Sequence, residues 1–538
     1  MKYDVVIIGG GLGGLSAGAF LAKKGKNVLL LEQHFMVGGA ATVFSRKNIN
    51  IEVGLHEMDY GEWGYDIKRY LLEYLQIEKK IELISLPEAW NVSGSNISYT
   101  VPEGIENAQN YLISQFPHEE KGIKKYFKML KKTAYTMGKL PYDMTFLEFM
   151  VYPFVKLPLL LKIYFNQKST AEVMDGLFKD DKLKKLLNAN LLYYHDNPYE
   201  FSWYYHALAQ YNYYNGAKYI KGGSASLSNA LAEIITENGG TVEVMCNVEK
   251  VNVEQGKVKS VTYRNKRSKE EVTVETEYVI ANCAPAVLYN ELVDKEYIDK
   301  SLEGFKESCS LYTVYIIFKE NIKNIYKDSA YSTFITDNDY NKSFSEMKSG
   351  YKHIPIEDRE FVLVNYGAID SGLNTVEGDK RAVGVFCGAS YLDEWENLSK
   401  EEYKAKKENL AEALFKRAEK YFPNLKEYVE YYEVSTPKTI KKFMKTPSGT
   451  AYGYANNSYL KKGRVPRFSR TIKNLLFTGA YSFPGGGFTG ALISGYMAGL
   501  NLLSPQWPYI FRRVLFITAF AAAVISLPKW FSALIGFF

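Results

Sequence analysis

The chain has 538 residues, enough for two or three domains, and is 46% hydrophobic and 15% aromatic, with 44 Tyr, 30 Phe and 6 Trp. Its 66 basic and 60 acidic residues leave a formal charge of +6. That is too small for this length to indicate nucleic acid as a partner, and at most it favours an anionic membrane surface.

Residues 5–8 are apolar and run into a glycine-rich turn. Gly9, Gly11 and Gly14 fit G-x-G-x-x-G, with Gly10 and Gly13 as additions. A helical pattern follows to about Lys24, and Gly25 stops it. Residues 27–31 read as a second strand, with Glu32 at its end. Such a unit serves pyrophosphate binding. Gly9 permits the tight turn, Gly11 lets backbone N–H groups approach the phosphates, and Gly14 lets helix and strand pack closely. The helix N-terminus presents its positive end. Glu32 is placed to accept hydrogen bonds from a ribose diol, and Leu12, Gly13 and Gln33 belong to the same expected site. Six residues beyond Glu32 come Gly38 and Gly39, then Ala40. This E-x-x-x-x-x-G-G resembles the FAD fingerprint of the flavin amine oxidase and phytoene desaturase superfamily. An NAD domain does not need the second glycine pair, so FAD is the expected cofactor.

Residues 50–60 read as a short strand entering a loop that holds His56, Glu57 and Asp59. In the resembling families this region passes near flavin and substrate. Residues 66–84 suggest an amphipathic helix and then a strand. Residues 104–137 carry apolar positions at helical spacing, read as a core face. Residues 146–165 are strongly apolar but contain Pro153, Lys156, Pro158 and Lys162. They suit a membrane-dipping or lid element, or a buried helix pair, better than a full span. Residues 193–219 are rich in tyrosine, which suits either a thick aromatic core or the lining of a channel for a long apolar molecule.

Gly222 and Gly223 open a helix to about Asn238, and Gly239–Gly240 end it. A strand over 241–248 continues to 253, a hairpin returns over 257–263, and strands over 272–274 and 278–281 lead to Asn282, Cys283, Ala284 and Pro285. This order resembles the second FAD-binding stretch of phytoene desaturase-like proteins, and the resemblance implies that the backbone at Val248 lies against the adenine. From 311 onward, strands over 311–318, 332–336, 361–366, 381–387 and 428–434 surround one helix over 400–421. Such a run argues for an antiparallel sheet in an inserted substrate domain. A strand over 475–477 then meets a glycine-rich loop and a helix starting near Thr489. In the family the matching helix N-terminus faces the flavin ring, which implies Gly479, Thr489, Gly490 and Ala491 near FAD. A helix N-terminus also stabilises the negative charge of a reduced flavin.

The four cysteines, Cys246, Cys283, Cys309 and Cys387, are far apart with no C-x-x-C. Buried free thiols are expected rather than zinc or dithiol chemistry, and no metal site is expected. Arg512 and Arg513 precede an apolar run to the C-terminus. We expect residues 508–538 to anchor the protein in a membrane, spanning or hairpin-like, with a cytoplasmic catalytic body. No signal peptide is expected before the first strand.

Over residues 1–505 the chain resembles phytoene desaturase-like flavoproteins, in particular the retinol saturase and carotenoid isomerase branch. The branch rests on LEQH with GGAATVF, KGGS, SGTAYG and FPGGGFTGALISG. The expected fold is α/β: a Rossmann-like, GDI/amine oxidase-like FAD domain (1–105, 219–290, 470–505) and an α+β substrate domain (106–218, 291–469). The resemblance implies hydride transfer between flavin and a C–C bond of an apolar polyene or isoprenoid. Redox-neutral carotenoid isomerisation, amine oxidation and prenyl-lipid binding of the Rab GDP-dissociation inhibitor kind are the alternatives. No second G-x-G-x-x-G appears, so the electron partner, NAD(P)H or a quinone, is left open, and no catalytic acid or base is assigned.

Overall fold

The computed structural model describes residues 2–60, 67–95, 97–137, 167–336, 343–458 and 464–503. The expected elements at 146–165 and 508–538 lie outside them. Among the described residues no helix is long and apolar enough to cross a membrane.

The first sheet is built on β1 (Lys2–Ile8). It pairs in parallel with β2 (Val28–Leu31) on one side and β13 (Glu271–Ala281) on the other. Val5 and Ile7 are buried on one face, Val6 and Ile8 on the other. A strand covered on both faces reads as an unbroken apolar run, which is how residues 5–8 appear in the sequence. One face carries three helices: α1 (Leu12–Lys23), α6 (Ser224–Glu237) and α9 (Phe488–Leu503). The contact of α1 with α9 is close enough that a Cβ on Gly495 would lie 2.2 Å from the Gly13 carbonyl oxygen. Ser16 Oγ donates to the Leu492 carbonyl at 2.7 Å.

The expected continuous strand over 241–253 is broken. β10 (Thr241–Glu243) pairs with β2, whereas β11 (Cys246–Glu254) pairs with β12 (Lys257–Asn265) at the other end of the sheet order. The chain turns at Met245, whose φ is 60°. The Cys246 N–H then donates to the Glu32 carbonyl at 2.8 Å, which folds the hairpin over the end of β2. β13 is long enough to serve two partners on one edge. Its first half pairs with β12, and residues 279–281 pair with β19 (Leu475–Phe477).

The second sheet has the order β18 (Val429–Ser435), β14 (Ser310–Phe318), β17 (Ala382–Ser390), β16 (Phe361–Asn365), β15 (Ser332–Thr336), β7 (Trp90–Gly94), β8 (Ile97–Val101). Two expectations are corrected here. The sheet is antiparallel except for β15 with β7, which run parallel. In addition β7 and β8, placed by sequence with the FAD domain, belong to this sheet, because their partner strand comes from a distant part of the chain. Helix α7 (Lys400–Ala418) packs on one face around Phe386, Leu414 and Phe415. The helices α3 (Ile105–Gln115), α4 (Glu120–Met137) and α5 (Trp203–Tyr214) complete the second half, whereas α2 (Ile67–Leu75) packs against α1 and α9. A small sheet of β5 (Met58–Asp59), β9 (Ala217–Ile220) and β6 (Leu83–Ser85) joins the two.

Candidate functional site

Between the two halves lies a cavity of about 1140 Å³, above the range usual for one drug-sized ligand. Of the residues expected at the site, Gly9, Gly11, Leu12, Gly13, Glu32, Gln33, Gly38, Gly39, Ala40, Val248, Gly479, Thr489, Gly490 and Ala491 all line it. Gly14 does not. A Cβ there would stand 2.2 Å from the Gly9 carbonyl oxygen, so Gly14 serves the strand–helix contact. Three segments far apart in sequence thus form one wall.

The first segment is arranged to offer N–H groups. Gly11 is the N-cap of α1 and supplies no side-chain cap, so no side chain of that residue competes for the first-turn donors. The buried Glu32 holds the turn by accepting from the Gly10 N–H at 2.7 Å and the His34 N–H at 2.8 Å.

Asn282 fastens the segments together, a role its place at the end of VIANCAP did not announce. Its Nδ2 donates to the Gly9 carbonyl at 3.1 Å. Its Oδ1 lies where a Cβ on Gly13 or Gly479 would stand, at 2.6 and 2.3 Å. Any larger residue at Gly13 or Gly479 would push this side chain away. The glycines are therefore needed to let three backbones converge on one amide, as well as to approach a ligand.

His56, Glu57 and Asp59 also line the cavity. The Thr489 hydroxyl donates to Asp59, which accepts in turn from the fully buried Lys68 ammonium at 3.1 Å. This pair fixes the first turn of α9. Burial pushes the His56 imidazole down to about 4, and its Nδ1 lies 3.3 Å from the Tyr366 hydroxyl. Glu57 is buried, and neither carboxyl oxygen has a hydrogen-bond partner among the described residues. Burial, with Glu88 and Asp59 nearby, pushes its carboxyl well above the usual carboxylate range.

The tyrosine-rich segment divides. Tyr193, Tyr194, Phe201, Tyr205 and Tyr213 line the cavity, with Leu208 between them. Tyr211, Tyr214 and Trp203 pack into the core. Of the cysteines, Cys246 and Cys283 line the cavity, and all four are free thiols.

His206, on the core side, is fully buried with Nε2 3.2 Å from the Tyr126 hydroxyl, and burial lowers its pKa to about 3. The folded state therefore binds fewer protons than the unfolded state below pH 6.5, and stability falls as pH falls through that window, by about 1.4 kcal/mol per unit from this group. His206→Gln keeps an acceptor and does not titrate. Between pH 7 and pH 5 the wild type should lose about 2 kcal/mol more than this variant in denaturant titrations.

A glycine cradle with a buried acid, a helix N-terminus and a second glycine loop define a dinucleotide-binding enzyme of the flavoprotein class. The family model for flavin containing amine oxidoreductases matches residues 12–499, and the chain belongs to that family. Its cofactor is FAD, and the protein is an FAD-dependent oxidoreductase. Among named relatives, a chloroplastic prolycopene isomerase of Daucus carota is 26% identical over 514 residues, covering 92% of this chain and 79% of that protein. An all-trans-retinol 13,14-reductase of Danio rerio is 25% identical over 542 residues, covering 93% and 86%. The crystal structure of an oxidoreductase from Methanosarcina mazei shares the fold with a TM-score of 0.58 at 15% identity, covering 92% of this chain and 99% of that one.

Proposed function

We propose that the protein transfers hydride between FAD and a carbon–carbon bond of an apolar polyene or isoprenoid of retinol or carotenoid type, in the direction of saturation. Bound FAD supplies the hydride chemistry. Gly9, Gly11, Leu12 and Gly13 with Glu32, Gln33, Gly38, Gly39 and Ala40 would hold its pyrophosphate and ribose, Val248 its adenine, and Gly479, Thr489, Gly490 and Ala491 its ring. The observation that carries the reading is that this cradle and a wall of aromatic rings line one cavity. The activities named for the Danio rerio and Daucus carota relatives agree with such a wall.

The chain's own groups then have distinct tasks. Tyr193, Tyr194, Phe201 and Tyr213 offer flat apolar faces and exclude water. The first turn of α9, held by Asp59, directs partial positive charge into the site. Glu57 holds a proton on its carboxyl group, ready for the carbon that does not take the hydride. His56 stays neutral and adds no charge. A second reading, redox-neutral cis–trans isomerisation, is favoured by the equal similarity to prolycopene isomerase.

Anaerobic incubation of the reduced protein with all-trans-retinol or a poly-cis carotenoid, followed by chromatography, tests both. A dihydro product is expected, and Glu57→Gln should lower its rate by about 100-fold, the lower end for general acid catalysis. Isomer without a saturated product would support the second reading. Recovery of both polyenes unchanged would contradict both.

A further inference from the structure

Four large hydrophobic side chains stand exposed among the described residues, among them Phe35 at 64% and Phe443 at 51%. Both line the cavity. His34, next to Phe35 in the chain, has its Nε2 2.7 Å from the Phe443 carbonyl oxygen, and the His34 and Phe443 rings are 5.7 Å apart. Phe443 belongs to α8 (Pro437–Met444), a helix with two unlike faces. Ile440, Phe443 and Met444 line the cavity. Lys438, Lys441 and Lys442 fall at i, i+3 and i+4, so they form one row, whereas Lys445, just beyond the end, has a φ of 55° and lines the cavity.

That row is weakly neutralised. Lys441 pairs with Glu396 at 3.0 Å, and both are about half exposed. The Lys438 ammonium rests over the Tyr403 ring at 5.1 Å and that of Lys442 over Phe443 at 5.5 Å. Neither these two nor Lys445 has a carboxylate partner among the described residues.

We propose that this face, α8 with Phe35, docks on an anionic lipid bilayer and sets the mouth of the cavity against the membrane. A basic row beside exposed aromatic rings is the pattern of a helix lying in the lipid interface, and each lysine near an anionic surface adds to the attraction. The proposal rests in part on the apolar-substrate reading. A polyene dissolved in the bilayer would otherwise have to expose its apolar surface to water on the way to the site. An acidic protein would use the lysines but has no need of two exposed rings at the cavity opening.

The test is co-sedimentation of the full chain with vesicles of phosphatidylcholine alone and of equal parts phosphatidylcholine and phosphatidylserine. Because it reads binding, it stands or falls separately from the polyene chemistry. Tighter binding to the anionic vesicles is expected, with weakening in high salt. Lys441→Glu with Lys442→Glu should weaken it by more than about thirty-fold, the loss expected from removing two charges, and Phe443→Ser should weaken binding to both vesicles. FAD content and circular dichroism show that the variants are folded, and Lys441→Gln with Lys442→Gln serves as a milder pair. Equal binding of wild type and all variants would overturn the proposal, assigning any membrane attachment to another part of the chain. So would failure to bind vesicles with retention on immobilised polyglutamate, which would assign the lysines to an acidic protein.

Discussion

Glu32→Ala protein is expected to purify folded but without flavin. The carboxylate accepts from two backbone N–H groups, those of Gly10 and His34, and its side chain is buried. Its removal leaves both donors unpaired, at about 1–3 kcal/mol each where water cannot reach them. The turn from Gly9 to Gly11 then loses its fixed shape, and the ribose loses its acceptor. Together these should weaken FAD by at least about 100-fold, or about 2.7 kcal/mol. Glu32→Gln should fall between, because an amide has one acceptor oxygen for two donors. Flavin per chain after gel filtration, and titration of the apoprotein with FAD, measure the effect. Full FAD occupancy in Glu32→Ala would remove this residue from the site.

Gly495→Val should be the most damaging single change to the fold. The added Cβ would meet the Gly13 carbonyl oxygen at 2.2 Å, Ser16 Cβ at 2.8 Å and the Ala17 nitrogen at 2.9 Å. None of these is the far end of a flexible side chain. Relief requires α1 and α9 to separate, which breaks the Ser16 bond to Leu492 and pulls Gly479 and the Thr489 turn from the first segment. Overpacking of this kind typically destabilises by 1–3 kcal/mol, and here about 3 kcal/mol or more is expected because backbone must move. Thermal unfolding and FAD release, followed together, should both shift to lower temperature. Gly176→Ala is the control. Its nearest neighbour would be 3.5 Å away at an ordinary φ of −79°, and a change within about 0.5 kcal/mol is expected.

What the sequence revealed follows from where each constraint resides. The pyrophosphate unit was legible because its needs are local: a strand, three glycines, a helix and an acid at fixed spacing. Gly38–Gly39 and the loop after Phe477 were legible through the family resemblance, and the structure brings them to the same cavity. Asn282 was not, because its task exists only where three distant backbones meet. The break at Met245 was hidden too. A left-handed methionine is imposed by the chain's change of sheet edge, and nothing in T-V-E-V-M-C-N-V marks it. The strands at 90–101 were not read, and the residues were placed with the FAD domain, since β7 pairs with a strand formed some 240 residues later. The tyrosine-rich segment was read as core or channel, and the structure divides it, residue by residue, between core and cavity wall. Glu57 could be noticed but not assigned, because its isolation from any partner is a property of packing.

One cavity, assembled from three distant segments, is proposed to bring FAD and a polyene together. Its most direct test is a single turnover. The FAD-loaded protein is reduced anaerobically and mixed with all-trans-retinol, while oxidised-flavin absorbance and extracted product are followed together. Oxidised flavin is expected to return one-for-one with a dihydro product. Flavin that stays reduced with the retinol unchanged, while an aliphatic amine reduces the oxidised protein, would contradict it.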